Sequence, residues 1–113
     1  MNIPTNQTRE KQLWIGKVEV RPLRGSTALG DGKGAFVNIV TWAHDAAEYQ
    51  QKATLVLEEF RSFVVEVENP EPVSVRREKV VFEEVIEDMI SRAQDNPNAI
   101  IYGTFHIWDR DTA

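Results

Sequence analysis

Residues 99–108 read Ala-Ile-Ile-Tyr-Gly-Thr-Phe-His-Ile-Trp, a run of β-branched and aromatic residues that is apolar on both faces of a strand. Such a strand is typical of a sheet that is covered on two sides. One face is small or aliphatic apart from one phenylalanine, and it comprises Ala99, Ile101, Gly103, Phe105 and Ile107. The other mixes aromatic surface with polar tips, and it comprises Ile100, Tyr102, Thr104, His106 and Trp108. The pattern predicts a core on the first face and an interface on the second.

The length and composition indicate one domain that folds without disulfides. The 113 residues include no cysteine, which excludes disulfides, thiol nucleophiles and cysteine-ligated metal sites. We predict a single domain over residues 12–109, with flexible tails at 1–11 and 110–113. The polar start of the chain lacks the apolar core of a signal peptide, and no apolar run approaches the roughly 20 residues that span a bilayer. We therefore expect a cytoplasmic protein with no membrane partner.

The net charge argues against nucleic acid as a partner. Eighteen acidic and 13 basic residues give a formal charge of -5. This charge repels a phosphate backbone, and no block rich in lysine or arginine offsets it locally. We expect no nucleic-acid binding.

The first half of the chain predicts a strand, a loop, a second strand and a helix. Apolar and polar residues alternate at 14–21, and apolar residues occupy both faces at 35–43. These patterns indicate the two strands. Between them, residues 25–34 hold four of the six glycines, which predicts a long surface loop. A helix is expected from the N-cap Asp45 to about residue 60, with Glu48 at the third position of a capping box.

The second half predicts a hairpin, a helix and the strand quoted above. Side chains alternate in type at 63–68 and at 73–76, which predicts two strands. Asn-Pro-Glu-Pro at 69–72 lies between them and indicates a hairpin with its prolines in the turn. Residues 78–94 carry a continuous helical stripe, namely Phe82, Val85, Ile86, Met89, Ile90 and Ala93. The outer face of this helix is acidic, with Glu83, Glu84, Glu87 and Asp88.

After the glycine-rich loop, the order strand, helix, strand occurs twice. This order resembles the ferredoxin-like βαββαβ plan, here with an extra N-terminal strand. The resemblance implies an α+β sandwich with an antiparallel sheet and both helices on one face. Strand 35–43 would pair antiparallel with 99–108, and a trial register sets Val40 opposite Tyr102 and Phe36 opposite His106. The purely apolar face would then lie under the helices, with Val37, Ile39, Ala43, Ile101, Phe105 and Ile107.

The opposite face of that sheet collects aromatic and polar side chains: Phe36, Asn38, Val40, Trp42, Tyr102, Thr104, His106 and Trp108. An exposed face of this kind needs cover, from a second copy, a ligand, another macromolecule or the N-terminal strand of the same chain. In the last case Trp14, Val18 and Val20 would complete a core with Trp42 and Trp108. Face-to-face homodimers are common in such sheets, so we interpret the chain as a non-catalytic binding or homodimerising module that uses this face.

Two alternatives stay open. One is a small-molecule-binding protein or enzyme whose pocket lies between this face and a partner subunit, with His106, near Asn38 and Thr104, as the catalytic candidate. The other is an acidic immunity-type inhibitor of a basic toxin, since the acidic helix face would attract such a partner. No metal or cofactor is expected. The glycine-rich loop lacks the lysine of a phosphate-binding loop and leads into a strand instead of a helix.

Overall fold

The computed structural model describes residues 10–27, 29–30 and 32–108. Within these ranges the chain forms a five-stranded antiparallel sheet and three helices, which confirms the α+β class. The elements are β1 (Gln12–Pro22), β2 (Gly34–Ala43), α1 (Ala46–Glu58), β3 (Ser62–Pro72), α2 (Val73–Arg77), α3 (Glu84–Gln94), β4 (Ile100–Tyr102) and β5 (His106–Trp108). Most of the predicted N-terminal tail and all of the C-terminal tail lie outside the described residues.

The strand order is β3-β1-β2-β4, and β5 pairs with β2 beside β4. This order differs from the ferredoxin-like plan, which places a strand of residues 73–76 next to β2. Here β1 takes that place. β1 pairs with β2 on one side and with β3 on the other, so it is a central strand instead of an addition at the edge. A central strand of a sheet that is covered on both faces needs apolar side chains on both, and β1 supplies Ile15 and Val18, which are buried.

The helices pack on opposite faces of the sheet, which corrects the prediction that they share one face. α1 covers the first core, made of Val18, Val20, Leu29, Ala35, Val37, Ile39, Ala43, Tyr49, Ala53 and Leu57. α2 and α3 cover the second core, made of Leu13, Ile15, Val40, Val73, Ile86, Met89, Ile90 and Ala93. Successive strand residues point to opposite faces, and Ile39 and Val40 are both fully buried. Each face of β2 therefore needs its own helical cover.

The predicted pairing of β2 with the C-terminal strand is confirmed, with a break in register. Phe36 lies opposite His106 as predicted, but Tyr102 lies opposite Ile39 instead of Val40. The shift arises because residues 103–105 leave the strand between β4 and β5. A shift of one residue moves a side chain to the other face. Ile101 consequently packs against the second core and not, as predicted, with Ile39 on the first.

Residues 69–72 do not form the predicted hairpin turn. They continue β3, and residues 73–77 form α2 instead of a strand. Among the described strands, β3 pairs only with β1 and is an edge strand, so proline costs it no hydrogen bond on the open side. The register shifts between the pairs Lys17–Glu68 and Ile15–Glu71, a β-bulge at which Asn69 has a positive φ of 49°.

The two longer helices differ in how well their starts were predicted. The N-cap of α1 is confirmed, since the Asp45 carboxylate accepts a hydrogen bond from the Glu48 backbone N–H at 2.8 Å. α3 starts at Glu84, six residues later than predicted. Phe82 precedes it, yet still packs against the second core beneath the Arg77 guanidinium, 5.1 Å from the ring. None of the described helices is long and apolar enough to cross a membrane.

Candidate functional site

The predicted interface residues divide among three places, and α3 covers the first. Val40 is fully buried in the second core. Trp42 packs against the same core, and its indole Nε1 donates a hydrogen bond to the Ala93 carbonyl of α3 at 2.7 Å. This end of the face therefore has cover from the same chain and is not free for a partner.

Tyr102 and Thr104 lie away from the predicted face. The register shift turns Tyr102 toward the α1 side, where its ring meets Phe60 edge to face at 5.0 Å and Phe105 at 6.1 Å between centroids. Thr104 is exposed in the irregular segment between β4 and β5. Ile107, which was expected under the helices, is 53% exposed. Tyr102 and Thr104 therefore do not lie with the other predicted interface residues, and Ile107 is not covered by the helices as predicted.

The other four residues, Phe36, Asn38, His106 and Trp108, remain together on the part of that face that lies outside the second core. Cross-strand pairing adds neighbours from β1 and β3 to this half of the sheet face. We call this surface the open face. It consists of Lys17, Glu19, Arg21, Phe36, Asn38, Phe63, Glu66, Glu68, His106 and Trp108, and each of these side chains is exposed or half-buried.

The open face interleaves aromatic rings with charges of both signs. The Lys17 ammonium lies 4.7 Å from the centroid of the Phe36 ring, and the Arg21 guanidinium lies 5.1 Å from that of Trp108. Such contacts favour a cation over an aromatic face. The sequence already held a signal for the β1 contribution, because the strand alternates apolar residues with polar ones. Its position inside the sheet was not predictable from that pattern.

The glycine-rich loop makes room for β5. A Cβ atom at Gly34 would collide with the Trp108 ring, and one at Gly32 would collide with the Ile107 side chain. Two other glycines, Gly25 and Gly30, have positive φ angles and open space around them, as turns require. These glycines therefore serve packing and turn geometry.

A cleft of about 650 Å³ borders the open face where β3 meets α2. We call it the polar cleft, and it is lined by Lys17, Asn38, Glu68, Asn69, Pro70, Glu71, Arg76, Lys79 and Val80. Hydrogen bonds from Lys79, at 2.8 Å, and from Arg76 hold the pKa of Glu71 below its usual value. Arg76 also donates to the Asn69 carbonyl at 2.7 Å and so ties the bulge of β3 to α2.

The two histidines lie in different surroundings. The side chain of His106 is exposed and forms no hydrogen bond or ion pair with another described residue. His44 instead meets Glu48, with 2.7 Å between Nδ1 and Oε1. No group of three or more His, Cys, Asp or Glu side chains among the residues described could hold a metal ion.

No match was found. Comparison with protein-family models, with curated proteins and with solved structures identifies no relative of this chain. The case for a function therefore depends on the chemistry of the open face and of the polar cleft.

The acidic side of α3 is partly neutralised within the chain. Glu87 accepts two hydrogen bonds from Arg77, at 2.6 and 3.0 Å, and Asp88 accepts two from Arg92, at 3.0 and 2.7 Å. These pairs leave less free negative charge for a basic partner than the sequence suggested. Inhibition of a basic toxin stays a prediction that no contact in this region favours.

Proposed function

We propose that this chain is a non-catalytic binding module that self-associates through the open face. The observation that carries the proposal is a set of accessible aromatic side chains on a part of the sheet face that none of the described helices covers, including Phe63, which is 45% exposed. Aromatic residues are enriched at interfaces because they bury a large apolar area at small entropic cost. In the same chain, the other half of this sheet face is covered by α2 and α3.

A second copy is the occupant that the charges favour. A two-fold axis parallel to the strands, between β1 and β3, would set Lys17 of each copy against Glu68 of the other. The same operation would set Arg21 against the ring of Phe63. The like charges of Glu19 and Glu66 would lie between these contacts and weaken them. We therefore expect a concentration-dependent equilibrium between monomer and dimer.

The test is the solution mass by size-exclusion chromatography with light scattering over a tenfold range of concentration. We expect the wild-type mass to rise toward twice that of the chain, and Phe63→Glu to stay at the monomer mass throughout. The matched control is Leu55→Glu, because Leu55 is also an exposed apolar residue, 60% accessible, but lies on α1 on the other side of the sheet. Its mass should follow that of the wild type.

Two results would contradict self-association through the open face. One is a wild-type mass that stays at the monomer value at every concentration. The other is equal loss of association in Phe63→Glu and Leu55→Glu with unchanged far-UV circular dichroism, which would show that the substituted position does not matter.

A second candidate is a small-molecule-binding protein, which the polar cleft beside the open face favours. The cytoplasm stays the expected location, and the lack of cysteine is compatible with a reducing compartment. Catalysis is not part of the proposal, because His106 lacks a partner for proton transfer among the described residues.

A further inference from the structure

We infer that the polar cleft binds a free α-amino acid, through a row of three side chains that crosses the sheet. Glu68 on β3, Lys17 on β1 and Asn38 on β2 are direct cross-strand neighbours and line one cavity. Adjacent strands lie about 4.8 Å apart, so the row presents a carboxylate, an ammonium and an amide at steps of that size. The inference does not depend on self-association.

The polar groups of the cleft fall into two sets. One set, which we call the rim, comprises Asn69, Glu71, Arg76 and Lys79. Its polar groups bond to one another, because Glu71 binds Arg76 and Lys79, and Arg76 also binds the Asn69 carbonyl. The other set is the row of Glu68, Lys17 and Asn38 across the sheet, and its side chains do not bond to one another. Within the described part of the chain, the side chains of Asn38, Glu68 and Lys17 form no hydrogen bond or ion pair, and the Lys17 ammonium lies over the Phe36 ring.

The absence of a Lys17–Glu68 ion pair is informative about the ligand. Oppositely charged residues directly across an antiparallel pair ordinarily interact. Here Lys17 lies over the Phe36 ring instead, which leaves Glu68, a residue of the cavity lining, without an ion pair to Lys17. A ligand ammonium placed on Glu68 and a ligand carboxylate placed between Lys17 and Asn38 would complete both groups by charge-assisted hydrogen bonds.

A ligand with one charge fits this row less well. A simple anion would meet Lys17 but would also lie beside Glu68, and a simple cation would meet Glu68 but would lie beside Lys17. A molecule that carries both charges a few ångströms apart can pair with the Lys17 ammonium and the Glu68 carboxylate at the same time. The cavity of about 650 Å³ has room for an amino-acid side chain, and Pro70 and Val80 supply an apolar wall for it.

The rim gives the cleft a fixed shape. Asn69 holds a positive φ of 49° at the bulge, and the Arg76 guanidinium fixes its carbonyl. Glu71, the next charged residue along β3, is held from two directions. A wall that is already ordered loses little conformational freedom when a ligand binds, which favours affinity.

The experiment titrates the ¹⁵N-labelled protein with L-leucine and follows backbone amide shifts, at a protein concentration where light scattering gives the monomer mass. We expect saturable shifts centred on Lys17, Asn38 and Glu68. N-acetyl-L-leucine lacks the ammonium and L-leucinamide lacks the carboxylate, so each should bind about tenfold to a hundredfold more weakly. Equal binding of either derivative would overturn the inference, as would the absence of shifts at about 10 mM L-leucine.

Matched variants locate the site. Glu68→Gln and Lys17→Gln should each weaken L-leucine binding about tenfold or more. Glu59→Gln removes the same charge but lies at the C-cap of α1, outside both the cleft lining and the open face, so it should bind like the wild type. Binding that Glu68→Gln leaves unchanged would overturn the assignment. Because the titration is done on the monomer, its failure is distinguishable from failure of self-association.

Discussion

The packing of β5 against β2 depends on Gly34. It pairs with Trp108, and the indole ring lies where a Cβ of residue 34 would be. The indole Nε1 is buried and has no hydrogen-bond partner among the residues described, so packing on Gly34 and the Arg21 guanidinium are what hold the ring. A single hydrogen atom in place of a methyl group therefore shapes one end of the open face.

We expect Gly34→Ala to lower the free energy of unfolding by about 1 to 3 kcal/mol, because the added methyl group must displace a rigid ring. Urea unfolding followed by far-UV circular dichroism measures the loss. In a Trp108→Ala background the same substitution should cost much less, since the ring is gone. Equal costs in the two backgrounds would show that Gly34 matters for a reason other than Trp108.

At the scale of elements, the sequence predicted what local patterns determine. The N-cap at Asp45 and the two-sided apolar pattern of β2 are local, and both were correct. The hairpin at residues 69–72 was wrong because two prolines mark a turn unless the strand is an edge, and edge position depends on partners elsewhere in the chain. The register break at residues 103–105 had no comparable local signal.

The candidate site was predicted only in the part that local sequence patterns determine. Alternation correctly grouped Phe36 with Asn38, and pairing correctly added His106 opposite Phe36. Alternation also put Trp42 on that face, but it does not say which face a helix will cover, and α3 covers the part around Trp42. Side chains of β1 joined the site because the strand is central, a property of the whole sheet.

The start of α1 should give the protein an acid-sensitive contribution to stability. The Glu48 carboxylate accepts from the His44 backbone N–H at 2.7 Å and from its ring, with Lys11 and Lys52 nearby, and its pKa falls from 4.5 to about 2. A carboxylate whose pKa is lower in the folded state stabilises above its unfolded pKa. That stabilisation is lost as the pH falls from about 4.5 toward 2.

Glu48→Gln tests this contribution. We expect the wild type to exceed the variant by about 1 to 2 kcal/mol near neutral pH, allowing for solvent screening, and the difference to shrink as the pH falls through this window. Urea unfolding at a series of pH values measures both proteins. A difference that does not change with pH would rule out the ionised carboxylate as its source.

For the whole molecule, two cores share one sheet. β1 supplies Ile15 to the second core and Val18 to the first, and β2 supplies Val40 and Ile39 in the same way. Neither core can lose its sheet without exposing the other. The molecule should therefore unfold as one cooperative unit although its helices lie on opposite faces.

Leu57→Ala in the first core and Ile90→Ala in the second test this cooperativity. Each should cost about 2 to 5 kcal/mol, and each should shift a single transition that far-UV circular dichroism and tryptophan fluorescence report together. Two separate transitions in either variant would mean that the cores unfold independently.

The place of β2 between β1 and the C-terminal strands has a consequence for synthesis on the ribosome. β1 and β2 can pair early, but β5, which completes the other side of β2, ends 65 residues after Ala43. At ordinary translation rates this delay is about 3 to 13 s. During that time the outer edge of β2 carries unpaired backbone groups. This strand is therefore the part of the nascent chain that is most exposed to wrong pairing with strands of other chains.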